Sequence, residues 1–203
     1  FINKSIDDVS GDEIQELLQG ADIKLLVGCA PCQPFSSHQK NKKCRAVHKD
    51  WKLLYQFARL VKEVRPDIVS MENVPELEKE TVFLDFIDTL EEEEYIVQYQ
   101  VVNVANYGIP QRRKRLILLA GKDKEIRLLP QSHKHYTTVK DAIGGLPKVQ
   151  AGQSNSVDPL HIASSLTRLN IQRIRCSKPG GTWRDWPEDL QLRCHRSEKG
   201  KSY

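Results

Sequence analysis

Residues 25–40 read LLVGCAPCQPFSSHQK, an apolar run that passes directly into a polar loop containing two cysteines. The run over 23–28 has the length and the apolar content of a buried β-strand. Cys29 and Cys32 therefore follow the carboxyl end of this strand. Near-continuous apolar strands are typical of parallel sheets that carry helices on their faces.

The same arrangement occurs a second time along the chain. Apolar residues recur at helical spacing over 50–64, and Pro66 ends the helical pattern. Residues 67–71 then predict another short buried strand, which leads straight into Glu-Asn-Val-Pro at 72–75. Because ligands bind at the carboxyl ends of the strands in open sheets of this class, both polar loops are predicted to lie on the binding edge.

The remaining elements complete an α/β fold class. The capping box that begins at Ser10 predicts a helix over about 12–19, and apolar spacing predicts another over 83–90. Strands are predicted over 95–104 and 116–120, and the segment between them is too short for a crossover helix. These two strands are expected to form a terminal antiparallel hairpin on a mainly parallel sheet with helices packed on it.

The sequence changes character after Gly121, where His, Gly, Pro, Ser and Gln become common. Only short helical stretches are predicted there, over 138–143 and 164–174. A domain boundary is therefore predicted near residue 130, separating 1–130 from 131–203.

The composition is that of a soluble globular protein, with 39% hydrophobic and 29% charged residues and a mean hydropathy of −0.53. No window approaches the roughly 18 apolar residues of a membrane span, and the first residues lack the pattern of a secretory signal. A cytoplasmic location without membrane attachment is expected. Five cysteines at irregular spacing do not suggest a disulfide framework, so they are expected to be thiols or ligands.

The charge distribution is more informative than the net charge of +4. Basic residues cluster in KNKKCR at 40–45 and QRRKR at 111–115, while EEEE at 91–94 is acidic. Basic runs are usually solvated surface, but two of them beside candidate chemistry favour a polyanionic partner.

The cysteine spacing allows three interpretations. A redox pair would need a helix that starts at the motif, and Pro34 favours an irregular loop instead. Cys29, Cys32, Cys44 and His48 have a spacing that a zinc module could use. Alternatively, Cys32 alone is a nucleophile and Cys29 is a small buried residue at the strand end.

A nucleophilic thiolate needs a cationic neighbour and a group that handles a proton on the substrate. Glu72 could be an ordinary surface carboxylate, but its place after an apolar run predicts a partly desolvated site at a pocket rim. Arg113 and Arg115 could simply begin a strand, but alternation puts them on one face, where both could reach the same anion or carbonyl.

Three segments, taken in order, resemble the signature blocks of the bacterial-type DNA (cytosine-5)-methyltransferases. They are Pro-Cys-Gln-Pro-Phe-Ser at 31–36, Glu-Asn-Val at 72–74 and Gln-x-Arg-x-Arg at 111–115. The resemblance implies a partial Rossmann-like methyltransferase domain over 1–130 and the start of a smaller target-recognition region over 131–203. It also implies that the glycine-rich cofactor loop lies upstream, so the chain is expected to be an internal fragment that is inactive alone.

The resemblance implies methyl transfer from S-adenosyl-L-methionine to C5 of a cytosine in double-stranded DNA, through a covalent bond between Cys32 and C6. Glu72 is then expected at N3 and the exocyclic amine, and Arg115 at O2, with Arg113 supporting the same loop. The cytosine must leave the duplex to react, since the ring is not accessible inside the stack. No metal is expected, and the zinc and redox interpretations are set aside.

The resemblance also assigns binding residues. Pro31 and Leu53 are expected at the cofactor, and the polar and basic residues of the first loop are expected to close on DNA phosphates. These DNA-binding candidates are Gln33, Ser36, Ser37, Lys40, Lys42, Lys43 and Arg45. A restriction endonuclease in the same system is allowed for, with no direct contact implied.

Departures from the family pattern include Ala30, where the family usually has an aromatic residue or proline, and Ser5-Ile6, where an Asp-Ile pair is common. Two alternatives to the DNA enzyme remain. The first is a cytosine-5 tRNA methyltransferase on the same scaffold, against which Pro34 argues. The second is a binding or regulatory module, against which the presence of Cys32, Glu72 and both arginines argues.

Overall fold

A computed structural model describes residues 2–31, 52–131 and 135–196. Its sheet contains four strands: β1 (Leu25–Gly28), β2 (Ile68–Asn73), β3 (Ile96–Asn103) and β4 (Lys114–Gly121). The strands lie in the order β1-β2-β4-β3. The helices are α1 (Gly11–Leu17), α2 (Lys52–Val64), α3 (Thr81–Glu92), α4 (Val139–Ile143), α5 (Arg168–Cys176) and α6 (Arg193–Arg196).

The α/β class and the β3–β4 hairpin are confirmed, but the prediction of a mainly parallel sheet is wrong for the described strands. β1 pairs with β2 in parallel, whereas β4 is antiparallel to both β2 and β3. The short connection after β3 forces the chain to reverse, and β4 enters the sheet between β2 and β3. β4 buries Leu116, Leu118 and Ala120 completely, which favours a position with a neighbour on each side.

Local sequence signals explain where the helices begin and end. The Ser10 hydroxyl accepts from the Glu13 amide at 3.3 Å, and the Glu13 carboxylate accepts from the Ser10 amide at 3.1 Å, which completes the predicted capping box of α1. α2 ends two residues before Pro66, as the sequence predicts. None of the helices in the described part of the chain is long and apolar enough to cross a membrane.

One face of the sheet carries the core. Val69 and Met71 of β2 and alternate residues of β4 are fully buried there, under α2 and α3. Phe57 of α2 stacks on Phe86 of α3 with ring centroids 5.5 Å apart. The opposite face is more open: Leu25 and Val27 of β1 are 51% and 65% exposed. The side chains of β2 alternate between these faces, so Ile68, Ser70 and Glu72 lie on the open face and are partly accessible.

The chain divides into two compact units after Ala142, and the sheet belongs to the first. In the second unit, the Thr167 hydroxyl caps α5 by accepting from the Asn170 amide at 3.3 Å. The boundary predicted near residue 130 falls inside the first unit. The assignment of residues 131–203 to a target-recognition region stays a prediction.

Candidate active site at the carboxyl end of the sheet

The parallel register of β1 and β2 brings the two polar loops together. Gly28 is the partner of Met71, so the next residues along the two strands are Cys29 and Glu72. The Cys29 thiol donates to Glu72 Oε2, with 2.9 Å between sulfur and oxygen. Both side chains lie on the face opposite the core, because β2 alternates and Met71 is buried.

The antiparallel register of β2 and β4 delivers an arginine to the same carboxylate. Glu72 is the partner of Ile117, and Arg115 lies two residues earlier in β4, on the same face and diagonal to Glu72. Arg115 Nε lies 2.5 Å from Glu72 Oε1, and the two side chains are 16% and 37% exposed. Each oxygen of the carboxylate therefore has its own donor. Because partly exposed ion pairs contribute about 0–1 kcal/mol to stability, orientation is the main effect of this contact.

Asn73 lies beside the candidate site, and the sequence interpretation gave it no role of its own. Its side chain is 4% exposed, and Nδ2 donates to the Ala30 carbonyl at 3.0 Å while Oδ1 accepts from the Val74 amide at 2.9 Å. The amide thereby fastens the start of the loop that follows β1, just before Pro31, to the end of β2. Strand alternation could have identified it, since Asn73 continues the buried set of Val69 and Met71 and a buried amide needs partners.

Arg113 does not join Glu72 in the way that Arg115 does. It lies immediately before β4 and has an exposed side chain. Its carbonyl accepts from the Val104 amide at 2.9 Å, which closes the turn of the hairpin. Within residues 52–131, Arg115 makes an ion pair with Glu72 and Arg113 does not, so a target shared by the two arginines stays a prediction.

The two candidate cofactor residues have apolar, accessible side chains. Pro31 is exposed and follows β1, while Leu53 lies in the first turn of α2 and is half-buried. Their chemistry fits a wall against an uncharged part of a ligand and supplies neither charge nor a side-chain hydrogen bond. Their role in cofactor binding stays a prediction.

The proposed nucleophile Cys32 lies outside the described residues, and so do all seven DNA-binding candidates. Those candidates are Gln33, Ser36, Ser37, Lys40, Lys42, Lys43 and Arg45. Cys44 and His48 of the zinc interpretation also lie there. The expectation that Cys29 is a small buried residue is wrong: its side chain is exposed, because its strand position faces away from the core.

Comparison with known proteins places these residues in a family. The family described as C-5 cytosine-specific DNA methylase matches residues 1–201. The type II methylase M.HgiDII of Herpetosiphon aurantiacus is 48% identical over all of this chain and 58% of its own length. The type II methyltransferase M1.HphI of Haemophilus parahaemolyticus is 31% identical over 94% of this chain and 52% of its own length.

The likeness extends to a solved structure. A protein described as a DNA modification methyltransferase encoded within a prophage of E. coli matches 76% of this chain and 44% of its own, with a TM-score of 0.60 and 23% identity. At this identity the likeness concerns the fold. The chain spans little more than half the length of these two curated relatives. Since the family match covers nearly every residue, the chain belongs to the C-5 cytosine-specific DNA methylases.

Proposed function

We propose that this chain is the central catalytic segment of an S-adenosyl-L-methionine-dependent DNA (cytosine-5)-methyltransferase. The observation that carries the proposal is the Glu72 carboxylate, held by Arg115 at the sheet edge where the Cys32 loop begins. A loop that carries a thiol, next to a carboxylate and an arginine at the carboxyl ends of the strands, suits addition of the thiol to a ring carbon beside a ring nitrogen.

The proposed reaction begins with the thiolate of Cys32. C5 of cytosine is a poor nucleophile, and addition of the thiolate to C6 moves the electron pair of the C5–C6 bond towards C5 and N3. C5 would then take up the methyl group as the methyl–sulfur bond of the sulfonium breaks, and the sulfur would leave as a neutral thioether. A base afterwards removes the proton at C5, the C5–C6 double bond re-forms, and the Cys32 thiolate leaves.

Glu72 and Arg115 would act on the polar edge of the same ring. Glu72 is proposed to hydrogen-bond or protonate N3 as electron density accumulates there and to hold the exocyclic amine. Its 37% exposure leaves the carboxylate accessible to a ligand. Arg115 is proposed to donate to O2 while it orients Glu72, and Arg113 to support the loop through its main chain.

The cofactor would supply the methyl group as an electrophilic sulfonium substituent. Pro31 and Leu53 are the residues of this chain proposed to border its site, and both are accessible apolar side chains. An apolar border excludes water from the reacting groups, which strengthens their electrostatic interactions.

The substrate is proposed to be double-stranded DNA from which one cytosine is flipped. The residues of the first loop, from Gln33 to Arg45, would contact phosphates and so position the duplex without reading its sequence. Residues 131–203 are proposed to begin the target-recognition region. A methyltransferase of this type would act in the cytoplasm on chromosomal DNA, in a restriction-modification system that pairs it with an endonuclease.

Covalent trapping tests the proposal in the complete protein that carries this chain. Duplex DNA with 5-fluorocytosine at the target should form a denaturation-resistant complex only when S-adenosyl-L-methionine is present, because fluorine cannot leave C5 as a proton does. Cys32→Ser should form no such complex. A complete protein that methylates DNA but forms no cofactor-dependent complex would contradict the mechanism.

The choice of nucleic acid has its own test. Transfer of a labelled methyl group to duplex DNA and to tRNA should be compared under the same conditions. We expect label in DNA alone. Preferential labelling of tRNA would favour the RNA enzyme on the same scaffold.

A further inference from the structure

The proposed reaction uses Cys32 and assigns no task to Cys29, although Cys29 touches the proposed catalytic carboxylate. Its Sγ lies 2.9 Å from Glu72 Oε2, while Arg115 Nε approaches the other oxygen, Oε1. The thiol is the donor in this contact, and the carboxylate oxygen accepts.

The backbone on both sides of Cys29 is anchored, so the thiol is delivered to Glu72 although it is exposed. On one side, Gly28 is in register with Met71 and packs so closely on Phe57 that a Cβ would lie 2.7 Å from the ring. On the other side, the carbonyl of Ala30 accepts from the buried amide of Asn73 at 3.0 Å. Main-chain geometry thus directs Cys29 to Glu72.

Two donors define the plane of a carboxylate better than one does. The last torsion of a glutamate is broad and roughly two-fold, so a single contact to Oε1 leaves the other oxygen free to swing. The Cys29 thiol occupies that other oxygen. We propose that Cys29 is a positioning residue, which holds the Glu72 carboxylate in the orientation that meets the target base. This inference rests on the proposed function.

The exposure of Cys29 separates this role from a packing role. Replacing an exposed side chain leaves no cavity in the core, so Cys29→Ala should fold normally. Cys29→Ser keeps a donor on a side chain of nearly the same size. Glu16→Gln, at an exposed position of α1 in the first unit, changes a side chain to which no role is assigned and serves as the control.

Steady-state methylation by the complete protein tests the role. We expect Cys29→Ala to lower kcat by about three- to tenfold, as for loss of one hydrogen bond. The KM for DNA should change by less than about twofold, since the contact is to a group that acts after binding. Cys29→Ser should recover most of the loss, and Glu16→Gln should match the wild type. A normal kcat in Cys29→Ala would overturn the inference.

A double-mutant cycle supplies a readout that a structural role would not move. In the Glu72→Gln background, adding Cys29→Ala should change the residual rate by less than about twofold, because the group to be positioned is already altered. Losses that multiply fully would show that Cys29 acts independently of Glu72, and would overturn the inference.

Thiol alkylation tests the contact without any methyl transfer. In the complete protein with Cys32→Ser, peptide mapping follows the alkylation of Cys29 before and after Glu72→Gln. A carboxylate that accepts from the thiol keeps it protonated and unreactive, so we expect alkylation to quicken by about threefold or more in the variant. An unchanged rate would overturn the contact.

If the wild-type protein methylates no nucleic acid, the proposed function fails, whereas normal methylation by Cys29→Ala defeats this inference alone.

Discussion

At the residue scale, the feature that distinguishes Glu72 is that each oxygen of its carboxylate has a defined partner. The register of β1 and β2 sets Cys29 beside it, and the register of β2 and β4 sets Arg115 diagonal to it. A shift of one residue in either register would turn one partner to the opposite face of the sheet. The chemistry of the site is therefore fixed by strand pairing before any side chain adjusts.

Arg115 and Arg113 should differ in catalysis although they are two residues apart. Arg115→Ala removes the donor to Glu72 and the proposed donor to O2, so kcat/KM for DNA methylation should fall by about a hundredfold or more. Arg113→Ala keeps the main-chain bond to Val104 and should cost less than about tenfold. Equal losses in the two variants, measured on the complete protein, would contradict the geometry.

Asn73 should matter for stability as well as for the position of the Cys32 loop. Asn73→Ala leaves the Ala30 carbonyl without its buried donor, so the free energy of unfolding should fall by about 1–3 kcal/mol. Asn106→Ala is the control, because that amide bonds to Gln131 at an exposed position and should cost less than about 0.5 kcal/mol. Urea unfolding of both variants makes the comparison.

At the scale of elements, α1 is attached to α2 through a charged cluster. Arg59 Nη1 donates to Glu63, and Arg59 Nη2 donates to the carbonyls of Ile6 and Val9 at 3.0 Å and 2.9 Å. The Glu63 carboxylate also accepts from the Gly11 amide at 2.7 Å, at the start of α1. The pKa of Glu63 is lowered, chiefly by the Arg59 hydrogen bond and also by the Gly11 amide.

This cluster predicts a sign for the pH dependence of stability. Since the folded pKa of Glu63 lies below the unfolded one, its stabilisation is present above the ordinary glutamate pKa of 4.5 and is lost as the pH falls through the folded value. Glu63→Gln should therefore lose stability at neutral pH and show a shallower decline in acid. Urea unfolding across this pH range tests it, with the exposed Glu16→Gln as control. Parallel pH curves for wild type and Glu63→Gln would refute the assignment.

Apolar spacing and local signals at helix ends and turns predicted most of the elements. Strand pairing explains what these signals could not predict. The capping box, Pro66 and the short connection after β3 are local signals, and the structure confirms the α1 start, the α2 end and the hairpin. The insertion of β4 between β2 and β3 depends on contacts distant in sequence. The same is true of Cys29, whose exposure follows from the sheet face that it occupies and not from its neighbours in the sequence.

At the scale of the whole molecule, the first unit buries one face of its sheet under two amphipathic helices. Phe83, Phe86 and Leu90 of α3 are fully or almost fully buried, while Leu84 on the other side of the same helix is 49% exposed. The Phe57–Phe86 stack joins α3 to α2 across this core. Stability of the unit thus depends on the few large side chains at the helix–sheet interface.

Two substitutions in α3 separate burial from composition. Phe86→Ala opens a cavity beneath the sheet and should lower the free energy of unfolding by about 3–5 kcal/mol. Leu84→Ala removes a large apolar side chain from the surface and should change it by less than about 0.5 kcal/mol. Thermal or urea unfolding checks the difference, and comparable losses would mean that α3 packs through another face.

The open face of β1 has a practical consequence for handling this chain. Leu25 and Val27 project from it with half or more of their surface in water, and in the described residues β2 is the only neighbour of β1. A short apolar strand with an open edge is a template for pairing with another copy. Purified alone, the 203-residue chain should self-associate as its concentration rises. Leu25→Lys should slow that association and leave the contacts of Glu72 unchanged.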